Sequence, residues 1–192
     1  MQSMNKFDSA GQEGPVSEKL QEIKDRVINA IAETMDLYGV AYSVGRLYGT
    51  LYFQRFPMTL DQMKDALGMS KSSMSLSIRA LQDMKAVQKV WQKGTRKDLY
   101  VAEKDFFKFF QVFFATKWRR EIEVNMKAIK EATAKLEAIL NQEELSPEQR
   151  EEAEFIRRLL LDSKEYYLWL EALVEKLESG ELFQLVKPRN KS

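Results

Sequence analysis

The sequence predicts a mainly α-helical fold that contains one small β-hairpin. Of the 192 residues, 31% are charged and 44% are hydrophobic, whereas only eight are glycine and four are proline. Apolar side chains recur at helical intervals along most of the chain, and they alternate as in a strand only in two short stretches after residue 86. These observations predict long amphipathic helices joined by few and short loops.

Several classes of function are excluded by composition. The chain has no cysteine and no histidine, so it lacks a disulfide framework, a cysteine nucleophile and the usual zinc, haem and iron–sulfur ligand sets. Histidine is also the commonest general acid–base residue of enzymes, and the chain lacks it. We expect no catalytic residue, no metal, no cofactor and no enzymatic activity.

No stretch predicts insertion into a membrane or export. The most apolar run, FFKFFQVFFATKW at 106–118, is too short to span a bilayer and contains two lysines. The first residues lack the basic start and apolar stretch of a signal peptide. We therefore expect a cytoplasmic protein with no membrane partner.

The first predicted elements are a polar tail and two helices. Residues 1–16 are expected to be disordered, and Ser17 is expected to cap a helix that ends near Leu37. Its apolar stripe comprises Leu20, Ile23, Val27, Ile28, Ile31 and Met35. In the segment that follows, five residues are spaced to share one helical face: Tyr38, Tyr42, Gly45, Gly49 and Tyr52.

The two glycines on this face cost about 1 kcal/mol each in helix propensity relative to alanine. Such a cost favours the close approach of another helix, and an aromatic groove for a ligand is the alternative interpretation. The next two helices are short and are joined by a turn. Thr59 and Gln62 form a capping box, Gly68 ends the first helix, and Ser70 caps the second. The pattern is typical of a helix-turn-helix.

A basic hairpin follows the second short helix. KAVQKVWQ and DLYVA are predicted to be antiparallel strands, and KGTR between them is the turn, in which Gly94 adopts a positive φ angle. Together with the preceding helices, this hairpin predicts a winged helix-turn-helix.

Two long helices complete the chain. The aromatic run at 106 begins one that reaches about Asn141, and SPEQ begins another, with Ser146 and Gln149 as a capping box and Pro147 at the first helical position. Apolar seams at heptad spacing predict an antiparallel hairpin. Because these helices exceed the core of one small domain, we expect part of their surface to dimerise. The predicted domains are the tail 1–16, the DNA-binding domain 17–104 and the helical dimerisation region 105–186.

Charge is concentrated in one window. The net charge of the chain is +1, yet residues 70–97 hold seven Lys and Arg side chains against the single acid Asp83, so the window carries +6. A local basic window of this kind favours contact with a polyanion. The alternatives are a solvated helix face and a turn that only adds solubility.

The same window supplies the candidate DNA-binding residues. Short hydroxyl side chains on a helix allow its backbone to approach phosphates and base edges in a major groove. A basic wing can place arginine in a narrow minor groove. The candidates on the helix are Lys71, Ser72, Ser73, Ser75, Leu76 and Arg79, and those on the wing are Lys93, Arg96 and Lys97.

Residues 45–110 resemble the GbsR-like branch of the MarR-type winged-helix regulators. The resemblance rests on GRLYG, on SMSLSIRAL and, most specifically, on KVWQKGTRKDLYVAE. It implies a homodimer that binds a pseudo-palindromic operator and an effector that alters DNA affinity. Studied members of the branch respond to choline, a quaternary ammonium compound held by aromatic rings. One position departs from the pattern, because Lys85 stands where such families usually place a turn glycine.

Two hypotheses of function follow. The first is a dimeric, sequence-specific, DNA-binding transcriptional regulator that acts as a repressor and responds to a small effector such as a quaternary ammonium compound. Its candidate effector-binding residues are Tyr38, Tyr42, Tyr52, Trp91 and Trp118. The alternative is a winged-helix module that binds another protein and does not bind DNA.

Overall fold

The computed structural model describes residues 15–141 and 144–187, and the chain divides after Lys104 into two compact units. The first unit contains α1 (Pro15–Leu37), α2 (Tyr42–Tyr52), β1 (Met58–Thr59), α3 (Leu60–Leu67), α4 (Lys71–Asp83), β2 (Val87–Val90) and β3 (Leu99–Ala102). The second contains α5 (Phe106–Leu140), α6 (Pro147–Glu178) and α7 (Glu181–Leu185). The predicted fold class, a mainly α protein with a winged helix-turn-helix and a long C-terminal helical hairpin, is confirmed.

Two small elements escaped prediction. Strand β1 adds a third antiparallel strand, in which Met58 pairs with Tyr100 and the sheet order is β1-β3-β2. Helix α7 has only five residues. Both are too short to produce a readable periodicity in the sequence.

The start of the chain differs from the prediction. Helix α1 begins at Pro15, two residues before the expected Ser17 cap, and proline suits a first helical turn because the N–H that it lacks has no helical partner there. The rest of the predicted tail, residues 1–14, lies outside the described residues, as do residues 188–192.

Helix α2 approaches α1 closely at its two glycines, as the sequence predicted. A Cβ atom at Gly45 would lie 2.7 Å from Cα of Ala32, and one at Gly49 would lie 3.1 Å from Cα of Ile28. Hydrogen atoms in place of these two side chains therefore allow the backbones to meet.

The prediction that Tyr38, Tyr42 and Tyr52 share one helical face is only partly correct. Gly39 adopts a φ of 75° in the turn that follows α1, and α2 begins at Tyr42, so Tyr38 lies outside that helix. The predicted stripe of α1 is also only partly buried. Ile28 and Met35 are buried, whereas Leu20 and Ile23 are exposed. Helix α2 rises about 16 Å over its 11 residues and leaves the N-terminal half of the longer α1 uncovered within this unit.

The core of the first unit lies around α2. Leu47, Tyr48 and Leu51 of this helix are buried, together with Met63 of α3 and Leu81 of α4. The Tyr48 hydroxyl donates a hydrogen bond to the carbonyl oxygen of Glu103 at 2.8 Å, just beyond β3. Burial raises the pKa of this phenol, so the hydroxyl remains a donor at physiological pH.

Helix α4 ends in an unusual turn. Lys85 has a φ of 57°, the left-handed region, and it is the one residue other than glycine with a positive φ among those described. The N–H of Lys85 bonds to the carbonyl of Gln82, and that of Ala86 bonds to the carbonyl of Leu81. These two bonds form a Schellman motif, in which glycine usually occupies the position of Lys85.

The second unit is an antiparallel helical hairpin. Its core contains Ile122 of α5 and Leu170, Val174 and Leu177 of α6. At the aromatic start of α5, Phe106 and Phe107 are each 45% exposed. Among the described helices, none is long and apolar enough to cross a membrane.

We predict that Gly45→Ala destabilises the first unit by about 1–3 kcal/mol, as overpacked cores do. The added methyl group would meet backbone atoms of Ala32, and this clash should exceed the gain in helix propensity of about 1 kcal/mol. Ser43→Ala, at an exposed position of the same helix, is the matched control and should stabilise slightly. Urea unfolding of both variants measures the difference. An equal stabilisation by both would show that α1 and α2 are not in close contact.

Candidate nucleic-acid interface

One side of helix α4 is buried, and the opposite side is exposed. Met74, Ile78 and Leu81 are almost fully buried, and Ser77 is 6% exposed beside them. On the opposite side, Ser72 and Arg79 are exposed, and the Leu76 side chain is 67% exposed. The buried side orients α4 in the unit, so its short polar side must face outward.

The first turn of α4 is held by serines. The Ser70 hydroxyl accepts a hydrogen bond from the N–H of Ser73 at 3.2 Å and also bonds the hydroxyls of Ser72 and Ser73 at 3.0 and 2.9 Å. No acidic residue lies in this turn, and Lys71 is exposed there. Because a helix N-terminus carries partial positive charge, the turn presents an electropositive end with small side chains.

The wing is attached to the helices by an ion pair. Its tip spans residues 91–98, where Gly94 adopts the predicted positive φ, at 94°. Lys97 Nζ lies 3.2 Å from a carboxylate oxygen of Asp61 in α3. The hydrogen bond from Lys97 holds the pKa of the Asp61 carboxyl below its ordinary value. Lys89 of β2 pairs with Asp98 at 2.8 Å.

The predicted wing residues therefore differ in their surroundings. Lys93 and Arg96 are exposed, and neither forms an ion pair with any residue that the structure describes. Lys97, in contrast, is already bound to Asp61. Asp61 could not be predicted as a partner of Lys97, because 36 residues separate the two and no local pattern connects them.

The remaining helix candidates are on the accessible side of α4. Lys71, Ser72 and Ser73 are exposed in its first turn, and Ser75 is half-buried. Within this face, Asp83 is the acid at the C-terminal end, one turn beyond Arg79.

The predicted effector residues are dispersed within the first unit. Tyr42 and Tyr52 lie at opposite ends of α2, about 15 Å apart along its axis. The Tyr42 hydroxyl donates to Oδ1 of Asn29 at 3.3 Å, and Tyr52 packs edge-on against Phe53. Tyr38 is 42% exposed in the turn after α1, and Trp91 is 81% exposed just beyond β2.

The fifth effector candidate lies in the second unit. Trp118 is half-buried on α5, where its ring centroid is 5.3 Å from that of Phe114, and it packs against the core of the hairpin. The five candidates are thus divided between the two units, and Tyr42 and Tyr52 lie far apart within the first.

Comparisons with known proteins agree with this geometry. In a crystal structure of a transcriptional regulator, a chain that is 16% identical superposes with a TM-score of 0.55, over 84% of this chain and 98% of the other, which supports the fold. The HTH-type transcriptional repressor GbsR of Bacillus subtilis (strain 168) is 48% identical over 179 residues, which cover 93% of this chain and 99% of the relative. The HTH-type transcriptional repressor OpcR of the same organism is 36% identical, over 90% of this chain and 92% of the relative.

A family model supports the same assignment for the helical hairpin. Residues 106–184 match the model described as GbsR family transcriptional regulator, C-terminal helical hairpin. The relatives are transcriptional regulators, which confirms the expectation that the chain is not an enzyme. Because the GbsR relative aligns with 93% of this chain and the family model matches the helical hairpin, the protein belongs to the GbsR family of transcriptional regulators.

Proposed function

We propose that the protein is a dimeric repressor that binds a specific operator in double-stranded DNA. The observation that carries the proposal is the exposed side of α4, which offers Ser72, Leu76 and Arg79 above a buried side that holds the helix rigidly. A side chain on a packed helix is positioned more precisely than one on a loop, as base recognition requires. Arg79 would contact a guanine edge or a phosphate, and Leu76 a thymine methyl group.

Phosphate contacts would come from the first turn of α4 and from the wing. Lys71, Lys93 and Arg96 are exposed, and none forms an ion pair with a described residue, so binding phosphates would break no existing pair. We assign Lys97 a positioning role, because its pair with Asp61 connects the wing to α3. Phosphate contacts set the register, and base contacts provide specificity.

Dimerisation belongs to the same proposal. The exposed apolar side chains of α6, among them Leu159, Tyr166 and Trp169, offer surface for a second copy. A twofold arrangement would place the two α4 helices in successive major grooves, roughly 34 Å apart, on a pseudo-palindromic site. Residues 17–104 would then bind DNA and residues 105–186 would hold the two copies together. The relatives that are named as repressors support repression rather than activation.

We predict that Arg79→Ala lowers the discrimination between operator and random DNA by about 1–3 kcal/mol, because a base contact is lost. Arg26→Ala, which changes an exposed arginine of α1, is the matched control and should leave discrimination unchanged. Operators selected from random fragments provide the specific DNA, and fluorescence anisotropy measures both affinities. If the full chain selects no fragment at all, the alternative of a protein-binding winged helix replaces the proposal.

The salt dependence of DNA binding should distinguish Lys93, which is unpaired among the described residues, from Lys97, which is paired with Asp61. We predict that Lys93→Ala weakens binding to all sequences alike and reduces the slope of log affinity against log salt by about 1, since one phosphate contact is lost. Deleting the pair Lys97 and Asp61 together, by alanine substitution of both, should weaken binding and keep the slope. A slope reduced equally by both variants would mean that Lys97 contacts phosphate in the complex.

An effector is the last part of the proposal, and family membership rather than an assembled site supports it. Tyr38 and Tyr42, which are 42% and 41% exposed, are candidates in the first unit for contact with a quaternary ammonium compound. We expect calorimetric titration with choline to show saturable heat that Tyr42→Ala reduces. Heat that is absent for choline and betaine at every concentration would remove the effector from the proposal and leave DNA binding unaffected.

A further inference from the structure

The second unit contains a groove whose lining residues have no part in the proposed DNA interface. It has a cavity volume of about 740 Å³, lies between α5 and α6, and is within the size range of small-molecule sites. Its apolar lining includes Met126, Ile129 and Leu160, and Lys127, Lys130 and Lys164 stand around it. No carboxylate belongs to the lining.

The three lysines differ from the arginines that flank them along the hairpin. Arg119 pairs with Glu178 at 2.8 Å and with Glu171 at 3.4 Å. Arg157 pairs with Glu154 at 3.1 Å. None of the three groove lysines forms an ion pair with a residue in 15–141 or 144–187. Arg119 and Arg157 are thus paired with acids at the two sides of the groove, whereas the three lysines of its lining are not.

This combination restricts what the groove can bind. A positive surround repels a quaternary ammonium compound, and an apolar lining does not match a sugar–phosphate backbone. A second copy related by a twofold axis through the groove would bring the lysines of one copy against those of the other. The ligand that satisfies both features has an apolar body and an anionic head.

We infer that this groove binds a small amphipathic anion, an acyl or aromatic chain that carries a carboxylate. The apolar body lies on Met126, Ile129 and Leu160, which removes that surface from water. The carboxylate pairs with Lys127, Lys130 and Lys164, and charge-assisted hydrogen bonds of this kind are stronger than neutral ones. The site is independent of the DNA-binding proposal, because every residue in it belongs to the second unit.

Calorimetry on the full chain tests the inference with two probes of equal chain length. Decanoate, kept below its micelle concentration, should bind once per chain, whereas decan-1-ol, which has the same number of carbons but an uncharged head group, should bind about tenfold more weakly. The variant Lys127→Gln/Lys130→Gln/Lys164→Gln should bind decanoate about tenfold more weakly, equivalent to about 1.4 kcal/mol. Lys135→Gln, an exposed lysine of α5 outside the groove, should leave decanoate affinity unchanged.

Each contrary result overturns the inference. Equal binding of the two probes would show that chain hydrophobicity alone decides, and an unchanged affinity in the triple variant would place decanoate elsewhere. A thermal unfolding midpoint equal to that of the parent chain establishes that the variant is folded. If decanoate does not bind at all and the triple variant shifts the sedimentation of the chain, a second copy covers the groove and the inference is wrong.

Discussion

The packing of α2 is the constraint on which the first unit depends. This helix contacts α1, α4 and β3, and its buried side chains Leu47, Tyr48 and Leu51 form the centre of the core. Gly45 lets α1 approach on one side, and the Tyr48 hydroxyl anchors the chain beyond β3 through the Glu103 carbonyl. Because α4 packs on α2 and the wing leads into β3, one helix sets the positions of both elements of the proposed DNA interface.

In each of the two units, some cationic side chains are paired with acids, whereas others form no ion pair with a described residue. In the wing, Lys89 and Lys97 have acidic partners and stabilise the local structure, while Lys93 and Arg96 are left for an external anion. Exposed pairs of this kind contribute little to stability, so their main effect is to restrict geometry. The helical hairpin shows the same contrast. The arginines beside the groove are paired with acids, whereas the groove lysines form no ion pair with a described residue.

Much of the fold was predictable because it depends on local chemistry. The capping boxes at Thr59 and Ser146, the left-handed Gly68 and the turn at Gly94 each involve residues a few positions apart. Lys85 shows the limit of such rules. It adopts the left-handed conformation at a position where glycine would avoid the Cβ strain, and the bonds from Lys85 and Ala86 to the end of α4 hold it there.

The sequence by itself determined the six longer helices, the wing, the basic window and the exposed face of α4, because periodicity and capping act over a few residues. Only the tertiary structure decided which half of α1 is buried, since that depends on the length of α2 beside it. It also decided that Lys97 is paired whereas Lys93 is not, and that Lys127 and Lys164 face one groove. These outcomes arise from contacts between residues distant in the chain, and no local pattern records them.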